Sequence, residues 1–248
     1  MENLAAFDQL DDLQLGGWGL WQNSRFFRFG TDGVLLADFA RVTPKETVMD
    51  LCSGTGIVPF LLMARGDCQK ADALELQPYL CRLMERSAEY NHCADRMKII
   101  EGDLCNIKEL AQGGCYDVVT VNPPYEPLGR GVLGSNPHRE LARREVACNL
   151  EQILSAAAYL LKPQGRLVMV HRPFRLPELM ELMRKYRLAP SRMQLVQGHA
   201  EERPALVLVE GIYQSKRELV VEPNFILHRE DGEMTDALLK IYRRERTE

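Results

Sequence analysis

The stretch Thr47-Val48-Met49-Asp50-Leu51-Cys52-Ser53-Gly54-Thr55-Gly56-Ile57-Val58-Pro59-Phe60-Leu61-Leu62-Met63-Ala64 decides the fold. Its first five residues are mostly apolar or β-branched and read as a strand. Two glycines then mark a tight turn, and the apolar run from Ile57 to Ala64 reads as a helix. Strand, glycine turn and helix in this order make a nucleotide-binding unit, with the ligand at the helix N-terminus. Two details separate it from a pyrophosphate-binding loop. Pro59 stands where the third glycine of G-x-G-x-x-G would be, and Asp50 places an anion where a phosphate would have to come. A carboxylate there suits a cationic ligand, such as the amino-acid part of S-adenosylmethionine (SAM).

Downstream, the same unit recurs. Lys70-Ala71-Asp72-Ala73-Leu74-Glu75-Leu76 reads as a second strand, and Glu75 follows Gly56 by the roughly 20 residues expected of an acid that reaches ribose hydroxyls. Pro78 opens a helix whose buried face is Leu80, Leu83, Met84 and Ala88. Met97 to Leu104 is the third strand, with Asp103 either an acceptor for an adenine amino group beside Leu104 or a simple helix cap. Tyr116-Asp117-Val118-Val119-Thr120 is the fourth, closed by Val121-Asn122-Pro123-Pro124-Tyr125. Four consecutive strands thus end in a polar residue: Asp50, Glu75, Asp103 and Asn122. In open α/β sheets ligands bind at the carboxyl ends of the strands.

The Asn-Pro-Pro-Tyr turn carries its own chemistry. Proline cannot donate to a sheet ladder and holds the preceding residue extended, so the strand must stop there. The Asn122 amide and the Tyr125 ring are then fixed at a strand end. A planar exocyclic amine is a poor nucleophile because its lone pair is delocalised. Acceptors on the Asn122 side chain and the next backbone carbonyl would orient that NH2 towards a methyl sulfonium, with the Tyr125 face under the base.

Residues 126–144 read as a loop following that turn, with Arg139 and Arg143 among its cations, and long loops in compact domains are commonly functional. Gly165 to Val170 is a fifth strand, ending at His171-Arg172, two groups that could meet phosphates or merely face solvent. Leu176 to Arg187 is an amphipathic helix. Met193 to Val196 and Ala205 to Val209 would close the sheet as an antiparallel pair, and Glu218 to Glu222 is one more strand-like run. Upstream, Phe29-Gly30-Thr31-Asp32-Gly33 leads into a first helix with Thr31 or Asp32 as N-cap. The acidic, glycine-rich residues 1–24 are either a leader or a flap.

The expectation is an α/β, Rossmann-like, seven-stranded and mostly parallel sheet with helices on both faces and an antiparallel last strand. It forms one domain over 1–248, with an N-terminal flap and first helix in 1–45 and the core in 46–248. The 248 residues allow one large α/β domain, and seven cysteines with no C-x-x-C spacing speak for reduced thiols and against a zinc site. No stretch has membrane-spanning length and the start lacks a signal-like h-region, so a cytoplasmic protein is expected. The net charge of −4 means that any nucleic-acid contact must rest on a local basic patch.

Asp50 to Gly56, Glu75, Asp103 and Asn122 to Tyr125 resemble the motifs of class I SAM-dependent methyltransferases that methylate amines. Phe29 to Ala37, His171-Arg172-Pro173 and Leu208 to Gly211 are more selective and resemble the tRNA1(Val) adenine-N6 methyltransferase family, over about Phe26 to Glu230. The resemblance implies SAM as cofactor, tRNA as partner, and N6 of an adenine beside the anticodon as the acceptor. No metal is expected, in line with the cysteine spacing. By the same resemblance Asp50, Gly54 and Gly56 hold the methionine part, with Thr31 close by. Glu75 binds the ribose and Asp103 with Leu104 the adenine, while Cys52, Leu76 and Asn122 also line the cofactor. Asn122, Pro123, Pro124 and Tyr125 hold the acceptor; Arg139, Arg143, His171 and Arg172 meet the RNA. Methylation of a glutamine amide in a release factor, or of a base in rRNA or DNA, stays open. So does a nicotinamide dehydrogenase, although Pro59 and the Asn-Pro-Pro-Tyr turn count against it.

Overall fold

A computed structural model describes residues 4–26, 28–123 and 148–242. The chain starts with an antiparallel hairpin, β1 (Asp8–Asp12) and β2 (Gly19–Asn23). There follow α1 (Thr31–Phe39), β3 (Val48–Leu51), α2 (Ile57–Ala64), β4 (Ala71–Glu75), α3 (Pro78–Tyr90), β5 (Met97–Glu101), the single-turn α4 (Ile107–Leu110) and β6 (Tyr116–Val121). After the undescribed stretch come α5 (Leu150–Leu160), β7 (Leu161–His171), α6 (Leu176–Lys185), β8 (Leu188–Gln197) and β9 (Leu206–Tyr213). The short strands β10 (Val220–Val221) and β11 (Phe225–Ile226) and the helix α7 (Asp236–Tyr242) complete it.

The main sheet has the order β5-β4-β3-β6-β7-β9-β8, with β10 and β11 both pairing β8. Strands β3 to β7 are parallel, and β9 runs antiparallel to both β7 and β8. β9 therefore runs against the other strands of this sheet, and the chain order reverses between β3 and β6. That change of order is the topological switch point, where ligands sit in open α/β sheets.

Successive strand residues point to opposite faces, and both faces are covered. Val118, Val168, Val170 and Leu208 pack under α1, α2, α3 and α7. Val119, Val121, Leu167, Met169 and Val209 pack under α4, α5 and α6. α1 starts at Thr31 with Gly30 as its N-cap and no side-chain cap, so neither Thr31 nor Asp32 caps it as expected, whereas two other helices start where local chemistry says they should. Pro78 opens α3, and Asn149 with Gln152 forms a capping box on α5, each side chain satisfying an orphan N–H of the other's backbone.

Four further details differ from the sequence reading. Residues 8–23 form a hairpin docked on α3: Asn91 accepts from the Gly19 amide at 2.9 Å and donates to its carbonyl at 2.7 Å, and the Trp21 amide donates to Ser87 at 2.9 Å. The fifth strand expected at Gly165 starts at Leu161, because Leu161 pairs with Tyr116 ahead of a bulge. The closing strands are longer than expected, at Leu188–Gln197 and Leu206–Tyr213. The run at 218–222 shrinks to two paired residues, so the described sheet has nine strands, seven of them forming its body.

Candidate active site

Because β3, β4, β5 and β6 are parallel, their carboxyl ends meet at one edge, and the glycine turn after β3 crosses that edge. The turn needs three residues with positive φ: Cys52 at 55°, Gly54 at 59° and Gly56 at 86°. The Gly56 amide donates to the Ser53 carbonyl at 2.8 Å, and the Ser53 amide to Leu74 of β4 at 3.1 Å. The two glycines serve different ends. A Cβ on Gly56 would lie 2.9 Å from Phe60 and 3.1 Å from Met84, so this position is needed for packing. A Cβ on Gly54 would meet nothing within 4 Å, so that backbone faces open space.

Asp50 lies beneath the turn, 2% exposed. Its carboxylate accepts from Ser53 Oγ at 2.5 Å and from Thr120 Oγ1 at 2.6 Å. Thr120 stands directly opposite Asp50 in the β3–β6 register. Burial pushes the Asp50 carboxyl up to about 7, against the two hydroxyl bonds and with help from the negative charge of Glu75. Glu75, at the end of β4, is also buried. It accepts from the Gly54 amide and from the Gln77 amide, each at 2.9 Å. Burial raises its pKa, and these amide bonds oppose the rise.

Asp103 lies two residues past the end of β5, not on it. It accepts from the Cys105 amide at 2.8 Å and caps a short 3-10 turn, as the second of its two readings had it. Leu104 behind it is buried, whereas Leu76 beside Glu75 is 36% exposed. Asn122 follows β6 directly and is half-buried, with Pro123 buried behind it. The first turn of α1 presses against it: a Cβ on Gly33 would sit 3.8 Å from Asn122 Nδ2 and 2.9 Å from Ile57. Thr31 belongs to that same turn, and its Oγ1 accepts from the Tyr242 hydroxyl of α7 at 3.3 Å. Thr31, Asp50, Glu75 and Asn122 are therefore gathered around the start of α1 and the glycine turn.

Cys52 contributes a further contact. Its Sγ lies 4.0 Å from Sγ of Cys148, and the hydrogen bond between them, together with burial, raises the Cys52 thiol well above its ordinary range. The described residues thus stop beside the site at Pro123 and resume beside it at Cys148. Pro124, Tyr125, Arg139 and Arg143 lie outside the described residues.

His171 corrects an expectation. It is fully buried, and its Nδ1 accepts from the Arg172 amide at 2.8 Å. Burial and the nearby Arg175 charge hold it down at about 4, so it is neutral near pH 7. A covered, neutral imidazole has no hold on phosphate; it orders the backbone of the turn that carries Arg172. Arg172 itself reaches the surface and donates to the Ala205 carbonyl at 3.1 Å.

Sequence reasoning missed Ser53 and Thr120, the two hydroxyls that hold Asp50. The only signal for Thr120 was a hydroxyl among the valines that end its strand. Among the described residues no group of three or more His, Cys, Asp or Glu side chains is placed to share a metal ion.

Residues 29–189 match the model of the methyltransferase small domain, well over half of the chain. The chain belongs to this family. Family members are methyltransferases, and the described sheet and glycine turn are the parts such an enzyme needs. A relative from Porphyromonas gingivalis, a tRNA1(Val) (adenine(37)-N6)-methyltransferase, is 29% identical over 189 residues, covering 74% of this chain and 73% of its own. One of the same name from Aeromonas hydrophila is 28% identical over 217 residues, covering 86% and 88%. Among solved structures, a predicted O-methyltransferase from Agrobacterium tumefaciens aligns with a TM-score of 0.70 at 18% identity, over 87% of this chain and 98% of its own. A tRNA m1G37 methyltransferase from M. jannaschii aligns with a TM-score of 0.59 at 13% identity, over 87% and 59%. These structural likenesses establish the Rossmann-like fold.

Proposed function

We propose that this family member transfers the methyl group of SAM to N6 of an adenine in tRNA, working in the cytoplasm. The observation that carries the reading is the meeting of Asn122, at the end of β6, with the acidic glycine turn and the first turn of α1. Relatives named for tRNA adenine-N6 methylation, matching most of the chain, support the choice of acceptor.

The donor set suits SAM. Its edge is anionic, with buried Asp50 and Glu75, which disfavours a pyrophosphate and favours a sulfonium and an ammonium. A carboxylate has about four lone-pair sites. Each Glu75 oxygen takes one backbone amide, leaving room for the ribose hydroxyls to donate as well. Gly54 offers bare backbone where the methionine part would lie. Leu76 and Leu104 flank the adenine end, with Asp103 at its rim. Thr31 and Cys52 close the two sides of the turn. SAM supplies a methyl group made electrophilic by its sulfonium.

The protein's own part is positioning. Asn122 accepts from the target NH2 through its amide oxygen, and the Pro123 backbone carbonyl takes the second N–H. This fixes the nitrogen and turns its lone pair towards the methyl. No strong base is needed, because the departing proton becomes acidic only once the new N–C bond forms. Pro124 stiffens the turn and Tyr125 stacks on the base. Arg172, with Arg139 and Arg143, meets the RNA backbone. The whole chain acts as one domain, since the hairpin rests on α3 and α7 rests on α1 and α2.

The reading is tested by incubating the protein with methyl-labelled SAM and, separately, total tRNA, ribosomal RNA, DNA and a release factor. Label entering tRNA supports it. Label confined to the release factor would move the acceptor to a glutamine amide.

A further inference from the structure

The turn after β7 carries an aromatic ring that the packing of the fold does not use. Phe174 is 58% exposed, although it sits in a short, firmly held 3-10 turn, Pro173–Arg175. That turn is fixed from both sides. Buried His171 accepts from the Arg172 amide at 2.8 Å, and the Arg175 amide donates to the Arg172 carbonyl at 3.0 Å. The Arg175 guanidinium is itself clamped on Glu178 by two bonds of 2.8 and 2.9 Å. A rigid backbone therefore presents a phenyl face to water.

The place of that ring matters. Strands β6 and β7 are parallel neighbours, with Val121 opposite Met169. Their ends, Asn122-Pro123 and His171-Arg172, come out side by side at the ligand edge, and Phe174 stands just beyond. Arg172 precedes that turn by one residue, and its Nη1 donates to the Ala205 carbonyl at 3.1 Å, so the same short segment carries a cation and the exposed ring. Neighbouring Pro177 and Glu178 are exposed and Arg172 is charged, so the ring does not belong to a broad apolar patch of the kind that docks another protein. An aromatic face beside a cation is what a single-stranded nucleic acid recognises: a base stacks on the ring and its phosphate meets the charge.

We propose that Phe174 stacks on a nucleobase flanking the target adenine, while Arg172 takes the phosphate between them. This rests on the reading of the substrate as RNA. Drawing the target base out of its stack bares a face of its neighbour, and Phe174 covers that face. The ring thus positions the acceptor strand and contributes to the choice of sequence around the modified base.

The test compares the full-length protein with Phe174→Ala, Phe174→Leu and Phe174→Trp. Methyl transfer to tRNA, SAM affinity and melting temperature are measured for each, with the emission of the Trp variant recorded as tRNA is added. Phe174→Ala and Phe174→Leu should raise KM for tRNA roughly tenfold, with SAM affinity and melting temperature unchanged. Phe174→Trp should restore KM, and its added emission should be quenched by tRNA. A normal KM in Phe174→Ala, rescue by Leu equal to rescue by Trp, or an emission that tRNA leaves unchanged would each overturn the stacking role. In those cases wild-type transfer to RNA persists and only this inference falls. If the wild-type protein labels no RNA at all, the substrate reading falls and this inference with it.

Discussion

Asp50 is a carboxylate out of reach of water, held by two hydroxyls and set near neutrality by its burial. Its charge state should therefore govern a cationic ligand. Below about pH 7 the carboxyl is protonated and attracts no ammonium. SAM affinity should thus fall as pH drops through 7, by up to tenfold per unit, about 1.4 kcal/mol. The sign for stability is the opposite. A raised acid pKa means the folded, ligand-free protein binds more protons than the unfolded chain, so this group's contribution is full near pH 4 and is lost as pH rises through 7. His171 runs the other way. Its depressed pKa gives stability that is present above pH 6.5 and lost as pH falls towards 4, worth ~3 kcal/mol. The two trends overlap, so the clean observable is the SAM-induced rise in melting temperature, which should grow from pH 6 to pH 8. In Asp50→Asn that growth should vanish; a slope equal to wild type would remove Asp50 from cofactor binding. Asn122 is predicted to behave differently. Asn122→Ala should lower the rate of methyl transfer by roughly 100-fold through loss of orientation, with SAM affinity near wild type in a direct titration. Retained turnover would take the acceptor role from it.

The glycine turn shows which parts of an element a sequence discloses. Strand, two glycines and helix were legible because their periods and breakers are local. The reason for each glycine was not, since it depends on neighbours from α2 and α3. Gly56→Ala must push on Phe60 and Met84 at a φ of 86°, and should cost roughly 1–3 kcal/mol in urea unfolding. Gly54→Ala carries backbone strain of about 1 kcal/mol but no clash, so its main effect should be on SAM affinity. If the two variants lost stability and affinity in the same proportion, the division of labour would be wrong. Thr120 was hidden for a similar reason: only the β3–β6 register places it against Asp50, 70 residues away. Asp103 could be read as a ligand or as a cap, and that it caps the turn at 104–106 shows only in the backbone geometry. The burial of His171 could not be seen either, because a polar residue at a strand end looks the same whether it faces water or the core. The hairpin at 8–23 was missed because Asp8–Asp12 lacks alternating apolar residues; it is held by Asn91 and Ser87 of the α3 region.

At the scale of the molecule, an acidic chain has to bind a polyanion through a restricted surface. On the proposed reading the ligand edge supplies it, through Arg172 at the end of β7, whose Nη1 donates to the Ala205 carbonyl. Arg172→Glu should weaken tRNA binding and flatten the slope of log affinity against log salt by about 0.7 to 0.9, the loss of one phosphate contact. An unchanged slope in a filter-binding series would mean that the arginine is only solvated. The fold also brings the far ends of the chain to this edge: α7 touches Thr31 through Tyr242, and Arg65 of α2's end donates to the Ile241 carbonyl at 3.2 Å. Thr31 is thus contacted by a helix over 200 residues away in sequence. The most direct measurement is to incubate the protein with methyl-labelled SAM and unmodified tRNA, digest the RNA to nucleosides and identify the labelled one. N6-methyladenosine, formed roughly 100-fold more slowly when Asn122→Ala replaces wild type, is the predicted result. Label on a guanosine, on N1 of adenosine or on no nucleoside would contradict the account.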